Sequence, residues 1–154
     1  MISKHISYKE STRSRTALRR NINNTPDDDQ LKCMEEVAEN LFEPLREWVG
    51  GPIQINSFFR CEELNRAIGG DGRSQHVKGQ AIDIDDRYGH KTNAEMYNYI
   101  KDNLDFDQLI WEFGDDKNPN WVHISWVSHR PNRRKVSKAY KDNKGRTRYE
   151  HKTL

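Results

Sequence analysis

Leu31, Met34, Ala38, Leu41, Leu45 and Trp48 recur at spacings of three and four, which is the core face of an amphipathic helix. Thr25-Pro26-Asp27-Asp28-Asp29 predicts its start. Thr25 would be the N-cap, Pro26 the first helical position, and the acids would face the positive end of the helix dipole. Pro44 should kink this helix or end its first part, because it lacks an N–H and crowds the preceding turn. Gly50-Gly51-Pro52 stops it. A shorter helix is expected over Cys61–Ile68, ended by Gly69-Gly70. Another opens at the capping box of Thr92 and Glu95 and runs through Ile100, with Met96, Tyr97, Ile100 and Leu104 on its buried side.

Other stretches alternate with a period of two. Ile53 to Ser57 would place Ile53, Ile55 and Ser57 on one side. Gln80 to Asp85 would turn Ile82 and Ile84 to the core and Ala81, Asp83 and Asp85 to the other face. In Phe106 to Phe113, Leu109, Trp111 and Phe113 share the buried face, while Phe106, Gln108, Ile110 and Glu112 share the opposite one. Trp121 to Trp126 divides in the same way, with Val122, Ile124 and Trp126 against Trp121, His123 and Ser125. Lys135–Tyr140 and Arg146–Glu150 flank Asp142-Asn143-Lys144-Gly145, which reads as a hairpin turn. The sum predicts an α+β fold, a small and mostly antiparallel sheet with flanking helices.

At 154 residues the prior is a single domain over 1–154, with an N-terminal arm (1–24) and a C-terminal basic hairpin (132–154). Ile6, Tyr8, Leu18 and Ile22 are expected to pack the arm on the body. Only 33% of residues are hydrophobic and the mean hydropathy is −1.10, so the core must be economical. No run approaches the length of a membrane span, and Met1-Ile2-Ser3-Lys4-His5 has no apolar core of a secretory signal. Cys33 and Cys61 read as free thiols. Residues 127–154 carry ten Lys or Arg against two acids, yet the net charge of the whole chain is only +2. That argues against a nucleic-acid partner. A basic edge strand also resists aggregation.

The candidate chemistry lies in Ser74–Asp85. His76 and Asp83 stand an odd number of residues apart, so one unbroken strand would send them to opposite faces. Gly79 lies between them and can take backbone angles that turn His76 back towards Asp83. His123 presents a second imidazole from the later strand. Two nitrogens and one carboxylate oxygen suit Zn²⁺ with a fourth position open, the pattern of catalytic zinc. Glu112 projects from the same kind of surface. It is either the general base beside a metal-activated water or an exposed strand residue. Trp121 shares a face with His123 and either walls the cleft or simply packs. His90 reads as exposed.

Ser74-x-His76-x-x-Gly79-x-Ala81-x-Asp83-Ile84, Trp121-Val122-His123 and Ser57-Phe58-Phe59-Arg60 together resemble the M15 zinc peptidases. That group includes D-alanyl-D-alanine carboxypeptidases and the L-alanyl-D-glutamate endopeptidases of phage lysins. The resemblance spans roughly residues 1–148. It implies a hedgehog/D-Ala-D-Ala peptidase-like zinc fold with His76, Asp83 and His123 as ligands. It implies that Arg60 steadies substrate or oxyanion, and that Ser57 and Ser74 hold substrate or orient other groups. Many members place the catalytic acid three residues before the last ligand, where this chain has Asn120, and an amide cannot serve as a base. Other relatives place a glutamate on the preceding strand, where Glu112 stands.

The implied function is hydrolysis of peptidoglycan stem peptides by a monomeric, phage-type endolysin endopeptidase. It would be made in the host cytoplasm without a signal peptide and act on the cell wall after release. The alternatives are a D-alanyl-D-alanine carboxypeptidase and a non-catalytic zinc-containing virion or wall-binding component. A nucleic-acid binder using the basic C-terminal segment ranks below both.

Overall fold

The computed structural model describes residues 1–152. Two short helices, α1 (Tyr8–Thr12) and α2 (Arg15–Arg20), form the arm, and α3 (Asp28–Val37) follows. The N-cap of α3 is Asp27 rather than Thr25. Asp27 Oδ1 accepts the Gln30 N–H at 2.7 Å while Gln30 Oε1 accepts the Asp27 N–H at 2.8 Å. Two donors satisfied reciprocally outweigh the single acceptor that Thr25 could offer, so the helix starts later than predicted and Pro26 is buried ahead of it. A π-helical turn (Ala38–Phe42) joins α3 to α4 (Glu43–Val49), in whose first turn Pro44 sits. The wider turn accommodates the missing proline N–H without breaking the stripe, and Met34, Ala38, Leu41 and Leu45 all stay fully buried. Gly50 closes α4 in the left-handed conformation, its N–H donating to the Arg46 carbonyl.

β1 (Gln54–Ser57), α5 (Glu62–Ala67), a 3₁₀ turn (Gln75–Lys78), β2 (Ala81–Asp85), α6 (Asn93–Asn103), β3 (Gln108–Glu112), β4 (Trp121–Ser125), β5 (Lys135–Lys141) and β6 (Thr147–Lys152) complete the chain. The six strands form one sheet in the order β1-β2-β4-β3-β5-β6. It is a mixed sheet, which corrects the mostly antiparallel expectation: β3 and β5 run parallel. The reason is topological. β4 returns antiparallel along one side of β3, leaving the chain at the end where β3 began. Residues 126–134 then cross to the other side of β3, and a strand setting out from there must run alongside it in the same direction.

Ile55, Ile82, Ile84, Leu109, Val122, Ile124 and Val136 point to one face and pack with Met34, Val37, Leu41, Leu45, Met96 and Ile100 of the helices. Fully burying each such side chain contributes about 1.5–3 kcal/mol. The arm is only partly tied down. Ile6 is buried in the core, whereas Tyr8 and Leu18 are exposed, contrary to the packing expected of them. Asn24 secures the arm instead, donating to the carbonyls of Thr12 and Phe59 and accepting from the Cys61 N–H. No helix among the described residues is long and apolar enough to cross a membrane. Both cysteines are free thiols.

The regular alternation expected over Phe106–Phe113 fails at both ends. Phe106 is wholly buried beneath the Arg134 guanidinium and so lies in the core. Phe113 has a φ of +59° and leaves the pleat.

Candidate active site

The sheet face away from the core helices carries the chemistry. β2 and β4 pair so that Asp83 stands directly opposite His123, and His123 Nδ1 lies 2.9 Å from Asp83 Oδ1. β1 pairs with β2 through a register shift between Ile55 and Ser57. Simple alternation would place Ser57 with Ile55 on the core side. The bulge instead turns it opposite Asp83, onto the chemical face.

His76 comes from the 3₁₀ turn. Ser74 caps that turn, its Oγ accepting the His76 N–H at 3.3 Å. Gly79 ends it at a φ of +73°, the bend expected from the sequence. A Cβ at Gly79 would lie 2.6 Å from the Gln30 carbonyl oxygen, so only glycine lets α3 approach this closely. Gln30 Nε2 in turn donates to the Val77 carbonyl at 3.0 Å, tying α3 to the turn. His76 Nδ1–H donates to the Phe58 carbonyl at 2.7 Å. That bond selects the tautomer whose bare Nε2 faces Asp83 Oδ2, 3.3 Å away. A main-chain acceptor behind a ligating imidazole is the usual orienting device at metal sites.

One ligand atom from each of His76, Asp83 and His123 lies within 4.8 Å of the others. Donors about 2.0–2.1 Å from one tetrahedral ion stand roughly 3.3 Å apart, close to the separations of Asp83 from both imidazoles. The donor set, its convergence and the Phe58 acceptor therefore fit a divalent cation. Electrostatics agree for Asp83 and His76, whereas His123 must give up a proton to ligate. Burial alone would raise the Asp83 carboxyl, but His76 and His123 hold it far below the usual carboxylate range. Burial lowers the His76 imidazole, favouring its neutral, ligating form. Burial opposes charge on His123 too, yet the Asp83 contact outweighs it and raises that imidazole.

Three further groups surround the triad. Glu112 on β3 is only 8% exposed, and burial raises its carboxyl to about 7, with His123 opposing and Asp83 adding to the rise. Arg60 follows β1, its N–H donating to the His76 carbonyl at 3.2 Å. Its fork makes long contacts to Ser57 Oγ (3.5 Å) and Ser74 Oγ (3.3 Å), and its buried Nε has no partner. Trp121 lies opposite Glu112 in the β3/β4 pairing and is partly buried against Phe113.

The structure thus gathers His76, Asp83, His123, Glu112, Arg60, Ser57, Ser74 and Trp121 on one face. Asn120 is exposed and meets the site only through its backbone, its N–H donating to the Glu112 carbonyl. His90 is exposed and stands apart from the triad.

Sequence reasoning missed two supports. The Phe58 carbonyl has no residue signature by which it could have been found. Asp107 had only a weak one, a carboxylate between the aromatic Phe106 and the strand that starts at Gln108. It is wholly buried and accepts from Arg130, Arg133 and, at 3.0 Å, from Gln75 Nε2, the residue before His76.

A His-Asp-His group with both imidazoles buried, beside a carboxylate of raised affinity for protons and a cation with an unused donor, is the working face of a metal-dependent hydrolase. Sequence comparison makes the class definite. The family model described as Peptidase M15 matches residues 4–125, and the chain belongs to that family of metal-dependent peptidases. No curated protein matches the chain.

Proposed function

We propose that the protein is a zinc peptidase of the hedgehog/D-Ala-D-Ala peptidase-like fold that cuts peptidoglycan stem peptides, as an endopeptidase at the L-Ala–D-Glu bond. The observation that carries the reading is the juxtaposition of the convergent triad with the buried Glu112. His76, Asp83 and His123 are the metal ligands in this proposal. Two imidazoles and a carboxylate also suit Fe(II), but peptide hydrolysis involves no redox change and is served by Zn²⁺. Bound there, zinc supplies Lewis acidity to water and to the scissile carbonyl.

The chain's own residues do the rest. In this reading Glu112, whose carboxyl titrates near neutrality, takes a proton from the attacking water and returns it to the departing nitrogen. Arg60 keeps its charge at any working pH, and its buried Nε and loosely engaged fork are donors for a substrate oxygen that gains charge as the bond breaks. Ser57 and Ser74 hold that fork between them, and Trp121 walls the cleft. The basic terminal hairpin favours approach to an anionic wall.

The same unpartnered Nε and loosely engaged fork of Arg60 favour a second reading, in which they receive a free C-terminal carboxylate and the enzyme is a D-alanyl-D-alanine carboxypeptidase. Digestion of purified peptidoglycan, with products read by mass spectrometry, separates the two. New amino termini on glutamate support the endopeptidase and released D-alanine the carboxypeptidase. No product from wild-type protein that binds zinc would sink both and leave a wall-binding component.

A further inference from the structure

The strand β6 lies beyond the residues that match the family. Its side chains are divided unequally between the two faces of the sheet. One cross-strand row runs Trp121, Glu112, Ala139, Tyr149, and the next runs Asp83, His123, Ile110, Ser137, His151. Thr147, Tyr149 and His151 therefore share the face of the metal triad, while Arg148, Glu150 and Lys152 take the other. Charge is one device that blunts an exposed edge strand. This one sends a phenol and an imidazole towards the site and keeps its formal charges behind.

The floor beneath them is prepared. Ala139 is fully buried, yet it lies outside the helix-packed core, so it is covered from the metal face. Its cross-strand neighbours there are Glu112 on one side and Tyr149 on the other. His151 Nδ1 lies 3.0 Å from Ser137 Oγ, anchoring the strand one row away. Tyr149 remains 52% exposed. Partial burial, followed by the charges of Glu112, Asp71 and Asp83, holds its hydroxyl above the ordinary value, so it is a neutral donor at physiological pH. Asp71 belongs to the loop just before the His76 turn, which places the phenol within electrostatic reach of both the catalytic face and that loop.

We propose that Tyr149 is a substrate-binding residue, its ring forming the outer wall of the cleft beside Glu112 and its hydroxyl donating to a carbonyl or carboxylate oxygen of the bound peptide. The inference rests on the peptidase reading above. A bound peptide presents carbonyl and carboxylate oxygens, which take a hydrogen bond from a neutral donor. A phenol supplies that donor together with apolar contact area.

The test uses zinc-loaded, full-length protein and a synthetic stem peptide. Tyr149→Ala should raise KM about tenfold and Tyr149→Phe about threefold, each with kcat changed less than about twofold, the loss expected for a ground-state contact. Peptide binding to Glu112→Gln protein, measured by calorimetry, should weaken by the same factors when Tyr149 is also replaced. Tyr140→Ala, on the opposite face of the hairpin, should leave both readouts unchanged. Unchanged KM and affinity in both Tyr149 variants would overturn the proposal while the peptidase reading stands. Affinity lost on replacing Tyr149, without turnover by the wild type, would keep Tyr149 as a binding residue and remove the peptidase reading. No binding by any form would overturn both.

Discussion

Asp83, largely shielded from water, and the wholly buried Asp107 both hold their protons far more weakly than usual, and they differ in their partners. Asp107 is enclosed by Arg130, Arg133, the Arg133 main-chain N–H and Gln75. Each partner is a permanent donor, and guanidinium does not titrate in the working range. Every acceptor site is used, so the group is a structural tie between β3, the segment after β4 and the His76 turn. Asp83 instead faces two imidazoles, each offering a lone pair or a proton according to conditions, and each orientable towards a shared point. A carboxylate among fixed donors is finished. One among exchangeable donors can trade protons for a metal ion.

The largest effect should come from making Asp83 resemble neither. Asp83→Asn removes the anionic ligand, and peptidase activity should fall on the order of 10³-fold or more. Zinc added to this variant should no longer raise the melting temperature, as it does for a protein that binds metal only when folded. A zinc-dependent rise of wild-type size would show that Asp83 is not a ligand.

Glu112→Gln should lower kcat by about 10²–10⁴-fold, the range for loss of a general acid–base, while metal analysis still finds one zinc per chain. A variant within twofold of wild type would return Glu112 to the status of an ordinary strand residue.

Asp107→Ala removes the anion shared by two partly exposed guanidiniums, which water can then solvate, so the protein should be measurably destabilised but by less than the loss of a fully buried pair. Denaturant unfolding should read that loss equally with and without zinc, in contrast to Asp83→Asn. The pH dependence carries the opposite sign to that of Glu112. The folded-state pKa of Asp107 is depressed, so its stabilisation is present above the unfolded value near 4 and is lost as pH falls through the folded one. The acid limb of unfolding should flatten in Asp107→Ala.

The smallest effect concerns Glu112 in the metal-free protein. Its folded-state pKa is raised from 4.5 to about 7. Ionising it in place is unfavourable, so stability should decline by about 3 kcal/mol at most as pH rises from 4.5 to 7. Glu112→Gln should lack that slope. Equal slopes in the two proteins, from urea unfolding at a series of pH values, would show that Glu112 is solvated in the folded state.

Much of the site could be read from the chain before any coordinates. His76, Asp83 and His123 carry donor chemistry in their side chains, and Gly79 marks the bend that joins the first two. Alternation in β2 and β4 sets Asp83 and His123 apart from the isoleucines, and the Thr92 and Glu95 box marks the start of α6. Those signals are local. They depend on residue type, on periods of two or 3.6 and on capping groups a turn away.

Tertiary structure decided the rest, because it depended on partners distant in the chain. The bulge that turns Ser57 to the site exists only where β1 meets β2. The parallel course of β5 follows from where β4 leaves the chain, and the Phe58 carbonyl behind His76 is a main-chain atom that no residue type announces. Asp107 is enclosed only because Arg130 and Arg133, more than twenty residues further on, close over it. Tyr149 gained its place in the same cross-strand row as Glu112, one strand beyond Ala139, through two successive strand registers. Side-chain chemistry and short-range periodicity are written residue by residue, whereas register and enclosure belong to pairs of segments and arise only when those segments meet.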